Sequence, residues 1–146
     1  MGRISIFNVQ HWDEQTYTIN VISNSSISEF EFSPSLIPEI SSKISLKVSG
    51  VEGTAGFCRI AIPNIIVQDF WQGNYVVLLN GELWPFKNWT ETENTYIYLG
   101  YANSQHQIVI IPEFPQAMLL PLFTALSTLA IAITKKRFLK KPKRNA

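Results

Sequence analysis

A single cysteine, Cys58, means this chain of 146 residues cannot close an internal disulfide, so its fold must rest on burial and hydrogen bonding. The two histidines, His11 and His106, stand 95 residues apart. No HxxxH, HExxH or CxxC spacing exists, so no metal site is written locally. No serine occupies a GxSxG elbow. The glycines of Gly50-Val51-Glu52-Gly53-Thr54-Ala55-Gly56 lack the Lys-Ser/Thr end of a phosphate loop and read as a flexible turn. These absences exclude motif-borne metal, nucleophilic and phosphate chemistry, and we expect neither enzyme activity nor a cofactor. Two further absences concern placement. Met1 to Asn20 has no basic start followed by an apolar core, so no signal peptide is visible. Ala117 to Thr134 has no charge, and the tail beyond it has no acid.

Those last 30 residues hold the plainest positive signal. The uncharged run of 18 residues spans about 27 Å as a helix, enough to cross a hydrocarbon core of roughly 30 Å with help from its flanks. Leu119, Leu120, Leu122, Phe123, Leu126, Leu129, Ile131 and Ile133 favour insertion by about 2 to 5 kcal/mol, against Pro121, Ser127 and three threonines. We expect one transmembrane helix over 117–134. Behind it, Lys135, Lys136, Arg137, Lys140, Lys141, Lys143 and Arg144 give the tail +7, whereas residues 1–113 hold five Lys/Arg against eleven Asp/Glu, a net −6. By the positive-inside rule the basic tail 135–146 stays cytoplasmic and the first 113 residues lie outside, at a cell membrane whose lipid is the first partner. A nucleic-acid arm is the competing reading of the tail, and the adjoining apolar run argues against it: no nucleic-acid partner is expected. An external domain without a visible export signal leads us to expect the C-terminal part of a longer polypeptide, with upstream domains.

Residues 1–111 read as all-β. Short alternating runs recur about every ten residues with turn signals between them. They predict strands at 3–9, 16–22, 27–32, 43–48, 56–62, 75–79, 82–86, 95–101 and 107–111, with a short helical turn over 64–71. Pro34, Pro38 and Pro63 mark loops or strand edges. Asn80-Gly81 is a type I′ hairpin signal, because both residues tolerate positive φ. The fold class expected is one antiparallel immunoglobulin-like β-sandwich, 1–111, followed by a linker 112–116 and the helix. Its core should include Ile44, Leu46, Val48, Cys58, Ile60, Ile62, Val76 and Leu78, with Cys58 a small buried hydrophobe.

Other candidate residues are few. Trp71, Trp84 and Trp89 are possible stacking surfaces for a ligand, and partly buried rim residues on the bland reading. Sequons at Asn24 and Asn88 fall in segments that read as loops, making both possible glycosylation sites. Ten asparagines in a Ser/Thr-rich chain supply roughly one or two sequons by chance, so they discriminate nothing.

Ile111-Pro112-Glu113-Phe114-Pro115, leading into an apolar run and a basic tail, resembles the PEF-type C-terminal sorting signals of archaeal surface proteins. Gly53 to Pro63, Asn94 to Tyr98 and Ser104 to Ile108 are similar to the β-rich module that often precedes such a signal. The resemblance covers roughly residues 13 to 144. It implies a membrane-embedded archaeosortase as partner, a cysteine transpeptidase that reads Pro112, Glu113 and Phe114, cuts near them and transfers the protein to a lipid. The chain would then be substrate and not enzyme. Read from the residues alone, Pro-Glu-Phe-Pro is a stiff extended linker that stops the helix running back into the sandwich. The function expected is a surface anchoring and spacer module. The alternative is a carbohydrate-binding or adhesion module on a plain single-pass anchor.

Overall fold

The computed structural model describes residues 2–35 and 42–113. Phe114, the expected span 117–134 and the basic tail with Lys135, Lys136, Arg137, Lys140 and Lys141 lie outside the described residues, as does Pro38. Among the described residues, no helix is long and apolar enough to cross a membrane.

Among the described residues, ten strands and one helix follow in order: β1 (Arg3–Gln10), β2 (Thr16–Ser23), β3 (Ser26–Ser33), β4 (Lys43–Ser49), β5 (Ala55–Pro63), α1 (Asn64–Trp71), β6 (Tyr75–Leu79), β7 (Glu82–Leu83), β8 (Lys87–Thr90), β9 (Asn94–Ala102) and β10 (Gln105–Pro112). They form two five-stranded antiparallel sheets, ordered β1-β2-β5-β9-β8 and β3-β4-β10-β6-β7. The core lies between them, where apolar side chains at alternate positions of both sheets meet. Ile19, Val21, Cys58, Ile60, Ile97 and Leu99 come from the first sheet, and Ile44, Leu46, Val48, Val77, Ile108 and Ile110 from the second. Cys58 is buried as expected.

The hairpin at Asn80-Gly81 also matches its sequence signal. Leu79 pairs with Glu82, and the two turn residues have φ of 52° and 85°. The expected core positions Val76 and Leu78 are corrected: Tyr75, Val77 and Leu79 are the buried set, and Val76 and Leu78 occupy the other, half-buried face. Every residue from Tyr75 to Leu79 is apolar, so no polar residue marks which parity faces outward. The strand expected over 82–86 stops at Leu83, because Pro85 has no amide to donate and restricts Trp84 before it. The chain then crosses to the first sheet as β8, a strand absent from the sequence reading.

The sandwich has two unlike poles. At one, β1 begins, β2 turns into β3 and β9 turns into β10. At the other, β10 ends beside Tyr75 and α1 caps the core with Ile66, Val67, Phe70 and Trp71. That helix starts directly after Pro63, with φ −54° and ψ 138°, and stops at Gln72 and Gly73, both left-handed. Their amides return to Gln68 and Val67 carbonyls at 2.8 and 3.3 Å, satisfying the last turn.

Candidate functional site

Pro112 and Glu113, the described part of the expected motif, sit at the α1 pole. Pro112 is the last residue of β10 and pairs with Tyr75, so it belongs to the sandwich and not to a linker. A proline is tolerated there because β4 pairs with β10 only as far as Ile110, and the missing donor costs no bond on that side. The Glu113 amide donates to the Asn74 carbonyl at 3.1 Å, and the Asn74 amide donates to that of Trp71 at 2.9 Å. The chain is thus fastened to the α1–β6 corner up to the residue before Phe114.

The three tryptophans are not brought together. Trp71, 3% exposed, lies in the core and gives its indole N–H to the Ser42 carbonyl at 3.0 Å, so it is corrected as a stacking surface. Trp84 is half-buried and donates to the Gly100 carbonyl at 2.8 Å. Trp89 alone is open, 42% exposed on β8, with its ring stacked on Tyr96 at 5.3 Å and 14°. The Arg59 guanidinium stands 5.4 Å from the Tyr96 ring centre, and Phe57 stacks on Tyr98 at 6.0 Å. None of the five strands of this sheet carries an Asp or Glu. The outer face is therefore aromatic and basic on a unit that is acidic overall. Tyr96 and Tyr98 escaped the sequence reading, although their alternation with Ile97 and Leu99 was the available signal.

Both sequon asparagines are engaged. Asn24, in the β2–β3 turn, donates from Nδ2 to the Ala55 carbonyl at 2.8 Å and accepts the Phe57 amide at 2.9 Å. Asn88 lies in strand β8, not in a loop, and donates to the Tyr75 hydroxyl at 2.7 Å.

Cys58, His11 and His106 are each fixed by their surroundings. Burial pushes the Cys58 thiol up to about 12, which removes it as a nucleophile near neutral pH. His11 is buried in a ring of Trp12, Tyr17, Phe32 and Phe70, with Nε2 2.8 Å from Asp69 Oδ2. His106 gives its Nε2 proton to the Ala102 carbonyl at 2.7 Å, leaving Nδ1 to accept from Asn80 at 2.9 Å. Among the described residues, no group of three His, Cys, Asp or Glu could hold a metal ion.

A buried polar plug closes the pole where β1 begins. Tyr101 donates to the Phe57 carbonyl at 3.1 Å and lies 2.9 Å from Ser25 Oγ, which donates to Asn103 Oδ1 at 2.8 Å. Asn103 donates in turn to Thr54 Oγ1 at 2.9 Å and the Ala55 carbonyl at 3.2 Å. Burial raises the Tyr101 hydroxyl above its usual range, and bonds from Ser23 and Ser25 oppose the shift. Gly50 and Gly56, expected to supply a flexible turn, are there for room: a Cβ on either would stand 2.2 or 2.4 Å from Asn103 Oδ1.

No family model matches this chain, and neither the curated proteins nor the solved structures contain a match.

Proposed function

We propose that the chain is a non-enzymatic spacer and anchoring module of a cell surface, external over the β-sandwich and held by its C-terminal segment. The supporting observation is the course of the chain through the fold. It begins β1 at one pole and leaves β10 at the other, so a domain joined ahead of β1 is displaced by the full sandwich length, about 25 Å for an eight-residue strand. That arrangement suits a spacer. The charge split of −6 before the uncharged run and +7 after it supports the same orientation. The immunoglobulin-like reading is supported by the neighbours β1-β2-β5, which run as strands A, B and E do; β9 departs from it by following where strand D would stand.

Processing by an archaeosortase-like transpeptidase is part of this proposal, and it meets a constraint. Pro112 and Glu113 are fastened to the fold, so a cut at or beyond Phe114 leaves the sandwich intact, whereas a cut before Pro112 requires the end of β10 to peel away. Protease added to intact cells should remove the sandwich and spare the tail; protection of residues 2–113 would sink the topology. Mass spectrometry of the mature protein should show the peptide after the motif lost and a lipid mass gained. Recovery of Lys135 to Ala146 on the mature chain leaves a plain anchor instead.

The second reading, a carbohydrate-binding module, is favoured by one observation: the open Trp89 ring on an acid-free sheet face. Quenching of Trp89 fluorescence by surface glycans, lost in Trp89→Ala, is the measurement that decides for it.

A further inference from the structure

Among the described residues, four strands end the two sheets: β1 and β8 in one, β3 and β7 in the other. An open edge offers unpaired amides and carbonyls to any extended chain, and folded proteins guard it with short strands, bulges or charge. Three of these edges are guarded. β7 has two residues, and β8 has four with Lys87 among them. β3 shifts register between Ser28 and Glu31, where Glu29 has φ 48° and pairs with Lys47 at 2.5 Å.

β1 has no such guard. Its eight residues pair with β2 in unbroken register from Arg3 to Gln10, and Ile4 to Gln10 include no charge and no proline. Ile4 and Ile6, on the outer face, are 64% and 63% exposed. A groove of about 440 Å³ runs along the same side, floored by Phe7, Val9, Phe30 and Phe32.

We propose that β1 is a homotypic docking edge, which pairs antiparallel with the β1 of a second copy of this chain and joins two five-stranded sheets into one of ten. The sequence of β1 is what selects a second copy. With Ser5 opposite Ser5, Ile4 faces Ile6 of the other copy twice on the outer face, and Arg3 faces Phe7 on the inner one, so no like charges oppose. A slip of one residue sends the isoleucines to opposite faces, and a slip of two sets Ile4 against Asn8. The contact is two-fold and closes on itself, as an isologous dimer must. Each unit carries net −6 and the edge only Arg3, which meets no charge across the pair, so the dimer tightens as salt rises, the reverse of a contact held by ion pairs. This inference stands independently of the spacer reading.

The test is cysteine cross-linking of the full chain in detergent micelles. Directly opposed residues of an antiparallel pair lie about 4.5 to 5.5 Å apart at Cα, inside the roughly 4.4 to 6.8 Å span of a disulfide. Buried Cys58, its thiol raised by burial, does not compete. Under mild oxidation the Ser5→Cys variant should form a covalent dimer about tenfold faster than Lys87→Cys on the opposite edge, a ratio worth one decade of association. Adding Ile6→Lys to Ser5→Cys should slow the cross-link about tenfold or more while circular dichroism and the thermal transition stay unchanged. A Ser5→Cys chain that stays monomeric, or links no faster than Lys87→Cys, overturns the proposal. So does a rate indifferent to Ile6→Lys, which would place the contact in another part of the chain.

Discussion

At the pole where β1 begins, the sandwich is closed by Ser23, Ser25, Tyr101 and Asn103, a buried network in which each group leans on the next. At the pole where β10 ends, it is closed by α1, which covers the core with four apolar side chains, of which Trp71 alone makes a side-chain hydrogen bond, to the Ser42 carbonyl. The two closures fail differently. An apolar cap loses stability in proportion to the volume removed, because burial is additive and non-directional. A polar plug loses it by leaving partners unsatisfied, so its members are coupled and one change exposes several groups.

The largest effect should come from the apolar pole. Trp71→Ala should cost about 3 to 5 kcal/mol in denaturant unfolding, through the cavity left and the Ser42 carbonyl stranded. A loss below about 1 kcal/mol would mean that α1 is not the cap we describe.

At the polar pole, Asn103→Ala should cost about 1 to 3 kcal/mol, since it takes the acceptor from Ser25 Oγ and the donor from Thr54 Oγ1 together. Gly56→Ala should destabilise by a similar amount in the native background, its methyl meeting Asn103 Oδ1 and the Tyr101 ring at 2.4 Å. Combined, the two should cost less than their separate losses, because removing Asn103 frees part of the space the methyl needs. Simple additivity would break the account of the plug as one coupled unit. Tyr101→Phe, which deletes one hydroxyl and keeps the ring, should cost about 1 kcal/mol.

A further effect is confined to alkaline pH and absent at neutral pH. A thiol raised from 9.0 unfolded to about 12 folded stabilises the fold fully below pH 9 and loses that contribution as pH climbs toward 12, because the unfolded chain deprotonates first. Tyr101 and Tyr75, raised chiefly by burial, act in the same direction. Melting temperature should therefore fall between pH 9 and 12, and the fall should be shallower in Cys58→Ala. Equal slopes in the two proteins would show that the tyrosines dominate.

Much of the fold was legible because burial on one face of a strand writes itself as period-two alternation. Ile44, Leu46 and Val48 against Lys43 and Lys47 show this directly. The signal vanished where a strand is apolar throughout, and Tyr75 to Leu79 was read on the wrong parity. Strand β8 was missed because Lys87 to Thr90 is exposed throughout and carries no burial pattern at all. The candidate site was less legible still. Trp71, Trp84 and Trp89 look alike as letters, and only their neighbours separate a core residue from an open ring. His11 and Asp69, 58 residues apart, meet by topology alone.

Sequence by itself determined what depends on local chemistry: the all-β class, the Asn80-Gly81 hairpin, the lone thiol and the charge step across an uncharged run. Tertiary structure decided what depends on long-range contact. It made Pro112 part of a strand, turned Gly50 and Gly56 into spaces for Asn103, and left β1 the one unguarded sheet edge among the described residues. The physical reason is that propensity and periodicity act over a few residues. The partner across a sheet is chosen by the packed core as a whole, and no short window of sequence contains it.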